Sequence, residues 1–196
     1  MGWFANVSVP WWIAGGWAID LFLDRETRPH KDLDVGVLRR DVGEVLRSFP
    51  DGEVFEAKDG ALSRLSQQRP RSEVNCLWCR DVGTQRWKFE LMLDESEGDL
   101  WVYRRDPRVR GKLESLVYHN SKGIPFLAPE VQLLYKAKHA RPEDERDFAA
   151  VVPHLGVEAL SWLQQSLVLT LPAHPWISTL AASQRGRDVR QHDGER

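Results

Sequence analysis

Asp32 and Asp34 stand one residue apart in the segment DLDVGVL, residues 32–38. Its residues alternate, with Leu33, Val35 and Val37 against Asp32, Asp34 and Gly36, and alternation of period two marks a strand. A strand over 32–38 puts both carboxylates on one face. Two ionised carboxylates held close repel one another and raise one pKa unless a cation sits between them. A hard divalent cation such as Mg2+, bound through carboxylate oxygen, removes that cost. Taken alone, a D-x-D pair also describes a strand with a solvated polar face. A third carboxylate, Glu90, lies in RWKFELML, residues 86–93, where Trp87, Phe89, Leu91 and Leu93 alternate with Lys88, Glu90 and Met92. If the two strands are neighbours, three carboxylates converge. That arrangement suits two metals clamping the attacking and leaving oxygens of an in-line phosphoryl displacement.

Upstream lie Gly15 and Gly16, in WWIAGGWAIDLFLD, residues 11–24. The segment reads as a strand end, a Gly-Gly turn and a helix. Such a turn lets a ligand approach the backbone closely, and the helix N-terminus presents N–H groups to phosphate oxygens. Between turn and strand sit Arg25, Arg28, His30 and Lys31, cations suited to a triphosphate; Arg28 and His30 are the candidate phosphate contacts. Asp20 is read as structural, either a cap or a partner of Arg28. Lys136 and Lys138 lie two apart in a helical segment and cannot share a face; Lys136 is the candidate to reach the triphosphate.

The elements that must hold these residues follow from local patterns. Residues 40–49 have helical spacing and end at Pro50-Asp51-Gly52. Short strands and a loop around QQRPRSE occupy 53–80, DESEGD (94–99) is a turn, and LWVYRR is a further strand. The second half is helical. One helix starts at Pro129, another at Pro142 with the acidic run PEDERD behind it, and a third covers 157–169. The expected fold is therefore α/β, a mixed sheet flanked by helices with a helical C-terminal segment. Its parts are a catalytic core over 1–124, a helical segment over 125–181 and a disordered polar tail over 182–196.

Composition narrows the function classes. The 196 residues carry 27 Lys and Arg against 29 Asp and Glu, a net charge of −2, so a nucleic-acid partner is not expected. No apolar run of about 18 residues marks a membrane helix. The Trp-rich start lacks the basic region of a signal peptide. Cys76 and Cys79 are the only cysteines; they suit a reducing cytoplasm, and one C-x-x-C pair lacks two ligands of a zinc site. Most of the nine tryptophans are expected in the core or lining a cleft; Trp78, Trp87 and Trp101 are candidates to line an acceptor cleft, with core packing the default.

The run GGWAIDLFLDRETRPHKDLDV resembles the GG…DxD signature of the DNA polymerase β-like nucleotidyltransferase superfamily. The form GGWAID…R-x-H-x-D-x-D is similar to the aminoglycoside 2″-nucleotidyltransferase branch, as are CLWCR, KFELMLDE, LWVYRRDPRV and GIPFLAPEVQLLYKAKHARPEDERDF. The resemblance covers about residues 11–155. It implies transfer of a nucleoside monophosphate from an NTP, ATP by preference, to a hydroxyl of an aminoglycoside-like small molecule, with Mg2+ or Mn2+. It also implies that Gly15 and Gly16 contact phosphates, that Asp32 and Asp34 ligate metal, and that Glu90 is the third carboxylate or the general base. Asp94, four residues on, is the alternative. Relatives carry a helix ahead of the Gly-Gly motif, so the packing of Trp3, Trp11 and Trp12 is open.

A polycationic acceptor calls for an acidic cleft, which 94–99 and 142–147 could supply. Two other functions compete. One is nucleotidylation of a protein or RNA, as in toxin–antitoxin relatives. The other is a non-catalytic nucleotide-binding domain, against which the clustered carboxylates argue.

Overall fold

The computed structural model describes residues 2–67 and 69–193, and the chain divides after Leu127 into two compact units. The first is built on a mixed sheet. Its strands are β1 (Trp11–Ile13), β2 (Asp34–Leu38), β3 (Gly52–Lys58), β4 (Ala61–Arg64), β5 (Cys76–Asp81), β6 (Trp87–Glu97), β7 (Leu100–Val102), β8 (Arg110–Lys112), β9 (Val117–His119) and β10 (Pro125–Leu127). Their order is β4-β3-β5-β6-β2-β1-β10-β9, with β7 pairing β6 and β8. The pairs β2–β6 and β1–β10 are parallel and the others antiparallel. Helices α1 (Gly15–Leu23) and α2 (Val42–Arg47) complete the unit.

The alternating apolar residues form the core. Val35, Val37, Leu77 and Leu91 have no exposed surface, while Asp34, Trp78 and Glu90 alternate with them towards the other face. Extended strand geometry makes this separation automatic. The N-terminal aromatics close one side of the sheet: Trp3 packs on Phe49 and Phe89, and Phe4 on Trp11 and Phe89. Trp12 is buried.

Three local expectations need correction. β2 begins at Asp34, and Asp32 lies in a bend before it. Pairing with β6 reaches back only as far as the Leu33 carbonyl, which accepts from Glu90 N at 2.8 Å. Residues 94–97 are not a turn but continue β6, because β7 pairs with them; the turn falls at Gly98 and Asp99. Residues 125–127, assigned above to the helical part, are strand β10 of the sheet.

The second unit contains α3 (Pro129–Ala137), α4 (Pro142–Val151), α5 (Val157–Thr170) and α6 (Trp176–Asp193). Proline opens α3 and α4, where its missing N–H costs no helical bond. Leu133, Leu134, Leu160, Leu163 and Leu167 are fully buried, and Phe148 stacks on Trp176 at 4.1 Å. The segment from 182, read as a disordered tail, continues α6 as far as Asp193. Arg187 anchors it by donating to the carbonyls of Leu155, Val152 and Pro153, satisfying acceptors just past the end of α4. Residues 194–196 lie outside the described residues.

Candidate active site

The site starts at the junction of β1, α1 and β2. Ala14 N donates to Asp34 O at 2.9 Å, which ties the Gly-Gly turn to the start of β2. Gly15 has φ +66°, and a Cβ there would lie 2.0 Å from Asp34 Oδ2. A Cβ on Gly16 would lie 2.4 Å from the His30 ring and 2.6 Å from Arg28 Nη2. The two glycines thus let a carboxylate and two basic side chains close on the first turn of α1. Ala14, the N-cap residue, makes no side-chain cap hydrogen bond.

The loop is shaped by Asp20, buried on α1. Its Oδ1 accepts from Thr27 N at 3.0 Å and from Thr27 Oγ1 at 2.5 Å, and its Oδ2 pairs with His30 Nε2 at 2.5 Å. The structural reading of Asp20 is sound, but its partners are Thr27 and His30 in place of Arg28. The His30 ring also rests 4.7 Å from Trp17. His30 is therefore a fixed wall over Gly16.

Parallel pairing of β2 with β6 sets Asp34 directly beside Glu90. Cys76, on β5, donates its thiol hydrogen to Glu90 Oε2 at 3.5 Å. Burial, then the Asp34 charge and to a lesser degree that of Asp32, push the Glu90 pKa up to about 7, against the Cys76 hydrogen bond. Asp94 is not the carboxylate brought to Asp34. It pairs with Leu38 in register, is 4% exposed, and accepts from Trp101 Nε1 at 3.1 Å.

A cleft of about 410 Å³ opens here, lined by Asp32 and Glu90 together with Trp17, His30, Trp78 and Trp87. Trp101 is core, but Trp78 and Trp87 are cleft residues, and Trp87 is 44% exposed. Sequence reasoning placed them in the core by default. Their neighbourhood with Glu90 depends on the β5–β6 register, for which no local signal exists. Cys76 and Cys79 point to opposite faces of β5, so they cannot share a metal. Burial pushes both thiols up from their ordinary range.

Within the second unit Lys136 Nζ bridges Asp144 Oδ1 at 2.7 Å and Asp147 Oδ2 at 2.9 Å, with all three side chains nearly inaccessible. Some acids of the segments expected to face a polycation also have partners. Glu95 pairs with Arg39 and Glu97 with Arg110, while Glu145 accepts from Trp176 Nε1.

Among the described residues no three His, Cys, Asp or Glu side chains form a ready-made metal cluster. The donors nevertheless fit a hard divalent ion. Asp34 and Glu90 are adjacent carboxylates, the Glu90 pKa is raised by burial first and by the Asp34 charge next, and Asp32 lines the same cleft.

Residues 1–151 match the family model described as aminoglycoside-2''-adenylyltransferase. The chain belongs to this family. It is accordingly a nucleotidyltransferase enzyme. A search of curated proteins finds no match. The solution structure of the antibiotic-resistance factor ANT(2'')-Ia is 18% identical, with 99% of this chain and 92% of that chain covered and a TM-score of 0.51. The lincomycin-bound crystal structure of the lincosamide antibiotic adenylyltransferase LnuA is 17% identical, with 76% and 89% covered and a TM-score of 0.52. At these identities the likeness shows a shared fold, the α/β sheet and helices described above. No helix among the described residues is long and apolar enough to cross a membrane.

Proposed function

We propose that this family member transfers a nucleoside monophosphate, AMP from ATP, to a hydroxyl of an antibiotic-like small molecule such as an aminoglycoside, in the cytoplasm. The observation that carries the reading is the placement of Asp34 beside Glu90, in front of the Gly15–Gly16 turn at the start of α1. The α1 N-terminus, with Arg28 over Gly16, receives the triphosphate. His30, held by Asp20, keeps the loop in place over that turn. Asp32, Asp34 and Glu90 are the residues that would hold Mg2+ or Mn2+. When bound, the metal supplies stabilisation of charge developing on the α-phosphate and the departing pyrophosphate.

The acceptor oxygen forms a bond to the α-phosphorus as the bond from that phosphorus to the bridging oxygen breaks. Pyrophosphate carries the electron pair away, and Glu90 takes the hydroxyl proton. Incubation with labelled ATP, GTP, CTP and UTP, a panel of hydroxylated antibiotics, and Mg2+ or EDTA tests the reading. Pyrophosphate release that needs an acceptor and a divalent ion is expected. Release unaffected by EDTA contradicts it.

A further inference from the structure

Past the end of β2 that lies away from Asp34, the first unit holds a second cavity, of about 630 Å³. Among the described residues it shares none of its lining with the cleft at Glu90. Glu90 and Glu95 mark the two places on β6, and five residues of strand separate them by roughly 16 Å. Three stretches of chain form the walls. They are the turn Arg39–Asp41 with α2 behind it, the loop ahead of β5, and the end of β6 at Glu95 and Ser96.

Arginine dominates those walls. Arg39, Arg40, Arg47 and Arg69 outnumber the acids Asp41, Glu44 and Glu95, and each acid is already engaged. Glu95 accepts from Arg39 Nε at 2.5 Å, Asp41 lies 3.7 Å from Arg40 Nε, and Glu44 accepts from Ser8 Oγ. The arginines are not used up. Arg39 Nη2 donates to Asn75 Oδ1 at 2.8 Å, but Arg39 Nη1 is buried with no acceptor. Arg47 and Arg69 are exposed, and neither makes a hydrogen bond or ion pair among the described residues. A guanidinium does not shed its proton. A buried N–H without an acceptor carries a desolvation cost, which a bound anion removes while it balances the surplus charge.

We propose that this cavity binds the phosphate monoester of a small molecule, at a site separate from nucleotidyl transfer. Two features select that chemistry. Arg39, Arg47 and Arg69 come from a turn, the end of a helix and a loop, and a phosphate monoester presents three free oxygens to three guanidinium groups where a carboxylate presents two. A volume of about 630 Å³ also falls in the range of small-molecule sites. It leaves room beside the phosphate for the group that the phosphate is esterified to.

The test is calorimetry and thermal melting of the full chain in EDTA, at constant ionic strength, with ribose 5-phosphate and inorganic phosphate as probes. Wild type is expected to bind ribose 5-phosphate more tightly than inorganic phosphate and to melt higher in its presence. Replacing Arg47 and Arg69 together by alanine removes two exposed side chains without partners. That variant should melt as wild type without ligand and lose affinity by at least about tenfold. Arg39→Lys keeps the charge but lacks the planar fork, and should lose affinity on the order of tenfold. Arg28→Ala, altered at the Gly15–Gly16 turn, should bind the probe as wild type does. No binding of either probe by wild type overturns the proposal, as does unchanged affinity in the double variant. A loss in Arg28→Ala alone overturns it by placing the phosphate at the α1 turn. Equal affinity for the two probes overturns the ester assignment.

Discussion

Replacing Glu90 by glutamine should stabilise the metal-free protein in a pH-dependent way. The folded pKa of Glu90 is about 7 against an ordinary value of 4.5. Ionising it therefore costs more in the folded chain than in the unfolded one. Below pH 4.5 both states are protonated and the cost is absent; it grows as pH rises from 4.5 and is complete above 7. A difference of 2.5 units at about 1.36 kcal/mol each gives about 3 kcal/mol, an upper figure because the carboxylate is only half-buried. Glutamine keeps the shape and still accepts from the Cys76 thiol, but it carries no charge. Thermal melting in EDTA should thus give equal midpoints for wild type and Glu90→Gln at pH 4.5. At pH 8 the variant should melt higher by up to about 5–10 °C, and Mg2+ should narrow the gap by stabilising wild type selectively. Parallel melting curves at all pH values would refute the claim that Glu90 is strained by burial and by its acidic neighbours.

Two further substitutions probe the frame around the cluster. Gly15→Ala puts a side chain at φ +66° and a methyl 2.0 Å from Asp34 Oδ2; it should lose at least about 1–2 kcal/mol and most turnover, as read by denaturant melts and pyrophosphate release. Lys136→Met strands Asp144 and Asp147, which it bridges, and should cost about 3–5 kcal/mol in unfolding free energy. A Lys136→Met chain with wild-type stability and reduced MgATP affinity would instead support the phosphate role expected of that lysine.

Much of the site is visible in local sequence because its chemistry depends on local spacing. The Gly-Gly turn and the helix after it are read from neighbouring residues, and alternation in 32–38 and 86–93 marks two strands with polar faces. Pairing of those strands is not local. The sequence leaves open whether Glu90 or Asp94 meets Asp34, and the parallel register decides for Glu90, with Asp94 turned to Trp101. The same limit hides the cleft roles of Trp78 and Trp87, since an aromatic at a strand position reads as core until its neighbours are known. Lys136 is legible in the sequence only as a charge on a helix. Its partners lie one helix further on, at Asp144 and Asp147, and a pattern within one helix does not reveal them. Asp32 falls outside β2 because the ladder stops at Leu33, a boundary that alternation overruns by two residues.

The central claim is that Asp34, beside Glu90 and against the Gly15 turn, serves nucleotidyl transfer. The most direct test compares pyrophosphate release by wild type and Asp34→Ala with MgATP and an acceptor that the wild type uses. Asp34 is half-buried on the polar face of β2, so its removal leaves no apolar cavity and the melting temperature should not fall. Loss of a metal-binding carboxylate should cost on the order of 3 kcal/mol of transition-state stabilisation, roughly a hundredfold or more in turnover. A folded Asp34→Ala chain that transfers at a rate close to wild type would contradict the account.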